Sequence, residues 1–260
     1  MSSHPLDVVG PPASKQKKYL QPRFKQIGPI GDGPRIILAA QSGMGKTTAA
    51  LVLLKEYLRV VDLVWLVSGT IDVDPAYKEA RSMVTEKYKK EGIDMDDPEL
   101  DPFREDLTTM KQIMATMTKR TQEAAQNGDS YSPAHLILID DLMAGNSNAS
   151  GYRYNDDILR LFSAGRHAGA IIILMTQSYK MLSRPARLQA THLGLWQVQE
   201  TQKKKEIFEE LAGRQGMTLE QLNSGFQTAT ARPHGFLFIS YNAPPGEKLW
   251  SGFSKKLVNK

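Results

Sequence analysis

The sequence predicts an α/β domain built on a mostly parallel sheet flanked by helices. Three observations carry that expectation. Short apolar runs of strand length, Ile36–Ala40, Leu63–Val67, Leu136–Ile139 and Ala170–Met175, alternate with segments of helical spacing. The runs are continuous, as buried strands are. The first of them opens through a glycine-rich turn into a helix, the kind of unit from which βαβ crossovers are made.

Each element follows in order. Residues 1–33 lack apolar periodicity and carry Pro5, Pro11, Pro12, Pro22 and Pro29. Within them Ser14–Gln26 holds Lys15, Lys17, Lys18, Arg23 and Lys25 with no acidic residue, a basic N-terminal arm. It reads either as a solvated, flexible terminus or as an arm that touches nucleic acid or a neighbouring subunit. Residues 34–260 form the folded domain, with an insertion at about 70–132. Ile36–Ala40 is a buried strand, Gln41–Gly45 a loop, Lys46–Val60 a helix and Leu63–Val67 a second strand. In the insertion, Pro75–Lys90 is helical. Glu91–Asp106, with eight acidic residues against one basic and with Pro98 and Pro102, is a solvated linker. Leu107–Gln126 is a helix whose Met110, Ile113, Met114 and Met117 form a packing stripe. Leu136–Ile139 is a strand, Met143–Asn155 a loop, Asp156–Ala164 a helix and Ala170–Met175 another buried strand. Leu193–Val198 is a further strand, Glu200–Ala212 and Thr218–Leu222 are helices, and Gly235–Tyr241 is a last strand.

Composition excludes several classes. There is no cysteine, so neither a disulfide framework nor a thiolate metal site is possible. Met1–Gly10 lacks the basic-then-apolar pattern of a secretory leader. The longest strongly apolar run, Ala168–Met175, falls far short of the roughly 20 residues of a membrane span. The expectation is a cytosolic or nucleoplasmic protein with no membrane span. A formal charge of +5 is mildly favourable for a polyanionic partner without establishing one.

Ala40-Gln41-Ser42-Gly43-Met44-Gly45-Lys46-Thr47 follows the phosphate-loop pattern GxxxxGK[ST], with alanine in the first glycine's place. Glycines let successive backbone N–H groups turn inward toward phosphate, and the following helix presents its positive end to the same anion. The candidate nucleotide contacts are therefore Gln41, Ser42, Gly43, Met44, Gly45, Lys46, Thr47 and Thr48. Lys46 is expected to reach the β- and γ-phosphates, and Thr47 to offer its hydroxyl to Mg²⁺. Ala40 is tolerable where the backbone φ is negative.

A buried parallel strand delivers its C-terminal residues to the crevice where ligands bind. Asp140 and Asp141 end such a strand, Asp140 placed to hold Mg²⁺ and Asp141 to orient or activate the attacking water. Thr176-Gln177 ends the next strand, where the Gln177 amide can contact the γ-phosphate or its water. Arg166, just before that strand, is a candidate arginine finger acting in a neighbouring subunit, against the alternative of a surface ion pair. His167 reads as structural.

Together, Ala39–Thr48, LILIDD at Leu136–Asp141 and GRHAGAIIILMTQSYKMLSRPARLQATHLGLW at Gly165–Trp196 resemble the FtsK–HerA superfamily. Within it the chain is most similar to the genome-packaging ATPases of large double-stranded DNA viruses and related elements. The distinguishing pattern is arginine–histidine, an apolar strand, Thr-Gln-Ser, then an arginine ten residues after the glutamine. The resemblance covers roughly Arg35–Val198, with Thr70–Ser132 unmatched. It implies a P-loop NTPase fold of the RecA-like type and a homo-oligomeric ring. Such a ring hydrolyses ATP with Mg²⁺ and drives double-stranded DNA into a preformed capsid, meeting capsid or portal-vertex proteins. It implies Gln177 as sensor, favours Arg166 as finger and matches Arg187 to a second arginine. It also implies action in the host cytoplasm or virus factory, or association with the virion. Two departures stand out. Gln189-Ala190 occupies a region where the family often has asparagine. The acidic pair is Asp-Asp where bacterial translocases use Asp-Glu, which suits the viral branch.

Two other functions remain open at this point: a P-loop kinase or phosphotransferase, and a nucleotide-dependent assembly switch. Gly145–Tyr154 and Lys203–Lys205 are candidate DNA contacts, against plain readings as a loop and a solvated helix start.

Overall fold

The computed structural model describes residues 25–27, 33–129, 133–140 and 150–257. Within them the apolar runs pair into one nine-stranded sheet. In chain order the strands are β1 (Arg35–Ala39), β2 (Leu63–Ser68), β3 (Phe103–Arg104), β4 (His135–Asp140), β5 (Ala170–Thr176), β6 (His192–Leu195), β7 (Leu237–Ser240), β8 (Leu249–Ser251) and β9 (Lys255–Lys256). Across the sheet they lie in the order β3-β2-β4-β5-β1-β6-β7-β8-β9. From β3 to β6 all neighbours are parallel, and β7, β8 and β9 are added antiparallel. Every residue of β1, β2 and β5 is buried, because helices cover both faces of the parallel part.

The helices are α1 (Lys46–Tyr57), α2 (Pro75–Glu91), α3 (Met110–Gln126), α4 (Ser150–Ala164), α5 (Arg184–Gln189), α6 (Thr201–Gln215) and α7 (Leu219–Ala229). Helix α1 packs on β1, β4 and β5 and against α2, while α7 pairs with α6 and lies on β7 and β8. Helix α2 starts where its chemistry says it should. The Asp74 carboxylate accepts from the Ala76 N–H at 2.9 Å, Pro75 opens the first turn, and Gly92 closes the helix in the left-handed region.

The insertion differs from its sequence reading at one end. The acidic linker finishes as β3, which pairs beside β2 and makes the insertion part of the sheet. Below β3, Tyr88 of α2 stands in for a missing strand. Its hydroxyl accepts from the Val64 N–H at 3.0 Å and donates to the Val64 carbonyl at 2.8 Å. Two buried backbone groups on the open side of β2 are thereby satisfied. The methionine stripe packs as expected, with Met110, Ile113 and Met117 buried and Met114 half-buried.

Other boundaries move. Helix α4 begins at Ser150, six residues before the expected Asp156, through Gly151 and Asn155. Asn155 does not compete with its own helix, because its side chain accepts from the Ser183 N–H at 2.7 Å. Strand β6 stops at Leu195, short of Val198. Helix α7 runs to Ala229, well past Leu222, from a capping box in which Thr218 and Gln221 exchange hydrogen bonds. Helix α5 and strands β8 and β9 have no counterpart in the sequence reading.

Of residues 1–33, 25–27 and Gly33 are described and the rest lie outside the described residues. Lys25–Ile27 is a 3₁₀ turn with Gln26 and Ile27 buried. His192 fastens it: Nε2 donates to the Gln26 carbonyl at 3.2 Å, so Nδ1 accepts from the Thr191 hydroxyl at 2.8 Å. Burial pushes the His192 imidazole down to about 4 and keeps it neutral. The Gln26 amide also donates to the Phe253 carbonyl. No helix among the described residues is long and apolar enough to cross a membrane.

Candidate nucleotide site

Strand β1 feeds directly into the glycine-rich turn. The Ala40 N–H still pairs with the Thr176 carbonyl at 3.1 Å, and then the chain leaves the sheet. Gly43 and Gly45 have φ of 77° and 90°, a region that only glycine occupies at low cost. Ala40 is not among the positive-φ residues, which is why alanine serves where the pattern has glycine. Gly45 ends the turn as the N-cap of α1, and no side chain caps that helix. Its first N–H groups are left for an anion. Lys46 is folded back over the turn, largely buried, with Nζ 3.5 Å from the Ala40 carbonyl. Gln41, Ser42, Gly43 and Thr48 are exposed, and Met44, Gly45 and Thr47 partly so, which leaves the rim open to a ligand.

Register brings the other candidates to the same edge. Ala39 lies level with Thr176, and Asp140 level with Met175. Asp140 therefore ends its strand within one residue of the start of the turn and two strand spacings away, about 10 Å. Gln177, exposed, follows β5 between them. Asp141 lies outside the described residues.

Two residues at this edge were not read as functional from the sequence. Tyr77 of α2 is fully buried, and its hydroxyl donates to Asp140 Oδ2 at 2.5 Å. Ser68 pairs with Asp140 across the β2–β4 ladder, and its hydroxyl lies 3.2 Å from that of Thr70. Burial, and then the Asp140 charge, push the Tyr77 hydroxyl well above its ordinary value, so it stays protonated and remains a donor. The buried spacing Tyr77, Ala80, Val84, Tyr88 was visible as one face of a helix. What that face meets was not. The Thr47 hydroxyl and the Asp140 carboxylate are hard oxygen donors of the kind Mg²⁺ prefers, with Tyr77 holding one carboxylate oxygen in place.

Arg166 lies elsewhere. It sits exposed in the 3₁₀ turn Gly165–Ala168, before the first residue of β5, with Nε 3.2 Å from His167 Nε2. A Cβ added at Gly33, ahead of β1, would stand 3.0 Å from the Arg166 Cβ. The length of β5 separates Arg166 from its own phosphate turn, about 20 Å at 3.3 Å per residue. That far edge is basic: burial first, then Arg166 and Arg214, holds Arg35 below its ordinary value.

Arg187 is committed within the chain. Nε and Nη2 donate to Glu210 at 2.8 and 2.7 Å, Nη1 donates to the Leu182 carbonyl, and the guanidinium lies 5.1 Å from the Tyr179 ring centre. Lys180 adds a bond to Glu210 at 3.0 Å. Burial pushes the Glu210 carboxyl up, but its bonds to Arg187 and Lys180 outweigh that and hold it at about 2. The folded protein thus binds fewer protons here than the unfolded chain. The group's contribution is complete above its ordinary 4.5 and fades as pH falls through about 2. Glu210→Gln is expected to lower Tm at neutral pH by about 2–4 °C, solvent screening holding the loss to about 1 kcal/mol. The gap between the melts of the two proteins should narrow as pH falls below 4.5 and close below about pH 2. A gap that widens in acid would refute the assignment.

Of the candidate DNA contacts, 145–149 lie outside the described residues. Lys203 pairs with Glu200 at 2.6 Å, Lys205 reaches Glu209 at 4.0 Å, and Lys204 stands 5.2 and 5.0 Å from the Phe208 and Phe226 ring centres. All three lysines lie in the first turns of α6.

No family model matches the chain, and no curated protein matches it. Solved structures do. The genome packaging NTPase B204 from Sulfolobus turreted icosahedral virus 2, in complex with AMP, aligns with a TM-score of 0.50 at 12% identity, over 81% of this chain and 94% of that one. The pCW3 conjugation coupling protein TcpA in its monomer form with ATPγS gives 0.47 at 12% identity, over 68% of this chain and 52% of that one. EssC from Geobacillus thermodenitrificans gives 0.43 at 13% identity, over 63% and 32%. The likeness to B204 is one of fold: this chain has the P-loop NTPase fold, a mostly parallel sheet with flanking helices. The two weaker likenesses add nothing to that.

Proposed function

We propose that the chain is an Mg²⁺-dependent ATPase of the FtsK–HerA type that moves double-stranded DNA, packaging a viral genome into a capsid as a homo-oligomeric ring. The observation that carries the reading is the convergence on one sheet edge of an uncapped helix behind a left-handed glycine turn, a folded-back lysine, Asp140 and Gln177. The N–H groups of Gln41–Thr48 would cradle the phosphates, and Lys46 would neutralise charge on the β- and γ-groups. Thr47 and Asp140 would hold Mg²⁺, which supplies charge neutralisation at the transferring phosphoryl group. Asp141 would orient the water, Gln177 would contact it, and Arg166 would complete a neighbouring subunit's site. Phosphoryl transfer asks mainly for positioning and charge, and these groups supply both. The arginine–histidine, strand, Thr-Gln-Ser pattern and the fold of a packaging NTPase support DNA as the substrate moved.

ATP hydrolysis measured with and without duplex DNA tests this. Duplex should stimulate turnover at low salt whatever its sequence. The stimulation should fade steeply as salt rises, because backbone phosphates are what a sequence-blind groove holds. A rate indifferent to DNA at low salt would remove the motor and leave a phosphotransferase or an assembly switch.

A further inference from the structure

We propose that His234 is a nucleotide-binding residue that contacts the nucleoside end of bound ATP. The proposal rests on the ATP site described above. Among the described residues His234 is the only non-glycine with a positive φ, 59°. Side chains other than glycine adopt that backbone at a cost, and it persists where the surroundings enforce it. Here they do. The next residue, Gly235, admits no side chain, since a Cβ there would lie 2.5 Å from the Ala229 carbonyl oxygen. The His234 carbonyl accepts from Trp196 Nε1 at 3.1 Å, and the Trp196 N–H donates to the Ala39 carbonyl at 3.3 Å. The turn carrying His234 is thus tied to the last residue of β1.

That mounting sets the imidazole against the phosphate turn. A Cβ built on Gly45 would stand 3.4 Å from the His234 Cβ and 3.5 Å from its Nδ1. The residue is exposed, and among the described residues its ring has no hydrogen bond or ion pair. The strained backbone therefore serves no contact of the fold through the ring. It holds an imidazole at the wall of the turn.

Sheet order says which part of the nucleotide lies there. Asp140 and Gln177 follow β4 and β5, on one side of β1; His234 precedes β7, on the other side, beyond β6. A triphosphate whose γ-end faces Gln177 and Asp140 sends its α-phosphate, ribose and base toward β6 and β7. The group that meets His234 is the nucleoside end, which inorganic tripolyphosphate lacks.

The test compares ATP with tripolyphosphate on the full chain, by calorimetric titration, for the parent, His234→Ala and His234→Gly. Glycine relaxes the left-handed backbone, so His234→Gly should keep or raise Tm. Both variants should bind ATP about tenfold more weakly, the loss of one hydrogen bond or ring contact of about 1.4 kcal/mol, and bind tripolyphosphate as the parent does. If His234→Gly binds ATP with parental affinity, the proposal is overturned. If both ligands weaken equally, His234 shapes the phosphate turn and the nucleoside contact is refuted. A parent that binds neither ligand would overturn the ATP site itself, and this inference with it.

Discussion

Lys46→Ala is expected to abolish measurable ATP hydrolysis while leaving the fold intact. Its ammonium lies folded over the turn it would serve, next to the Ala40 carbonyl and behind the uncapped start of α1. Loss of a charged hydrogen bond to phosphate weakens ATP binding by about 10–100-fold. Loss of a donor aimed at developing charge removes about a further 10²–10³ in rate. Alanine is a strong helix former, so the first turn of α1 should survive and Tm should change little. The measurements are a steady-state phosphate-release assay, an ATP titration and a melt. Hydrolysis at the parental rate would mean that the chain hydrolyses ATP somewhere else.

If Arg166 completes the next subunit's site, as proposed, Arg166→Ala is expected to bind ATP normally and turn over slowly, by about 10³–10⁵. The fold supports this direction of action. Arg166 and its own phosphate turn stand at opposite ends of β5, and the side chain is exposed at an edge with no phosphate turn of its own. Arg187, the other arginine that the resemblance singles out, is tied to Glu210 and Leu182 and has no freedom to reach a neighbour. Mixing two dead variants separates action in trans from action in cis. In rings that combine Arg166→Ala with Asp141→Asn, some interfaces join an intact Asp141 to an intact Arg166, and those should recover turnover. Specific activity of the parent should also rise with protein concentration as rings form. Mixed oligomers that form and stay inactive would refute the trans role.

Much of the core was legible because it depends on local signals. Ile36–Ala40, Leu63–Val67, Leu136–Ile139 and Ala170–Met175 each announce a two-face-buried strand by unbroken apolar character. The turn Gln41–Gly45 announces itself by glycines that the backbone then uses at positive φ. What was not legible depends on tertiary pairing. Phe103-Arg104 has no strand signature of its own and is a strand because β2 has an open side. Leu249–Ser251 and Lys255–Lys256 extend the antiparallel end as a short hairpin that periodicity over so few residues cannot reveal. The Leu219–Ala229 helix outran its expected end because Phe226 and Ala229, past Leu222, find buried places on the antiparallel strands. At the site, the phosphate turn was readable because its chemistry is contiguous. Tyr77 and His234 were not, since each meets its partner across 63 residues or more of chain.

The two tyrosine hydroxyls of α2 decide whether the insertion is removable. An ordinary surface excursion can be shortened freely, because the entropy of closing a loop changes slowly with its length. Excising 70–132 here would do three separate kinds of damage. Asp140 would lose the Tyr77 hydroxyl, Val64 would lose both partners that Tyr88 supplies, and β2 would become a bare edge. Such an edge recruits strands from other chains, so the shortened protein would tend to aggregate before its catalysis could be judged. The insertion is therefore held in place from inside, by the two tyrosine hydroxyls together with the β3 pairing and the buried faces of α2 and α3, whatever its acidic outer surface goes on to meet.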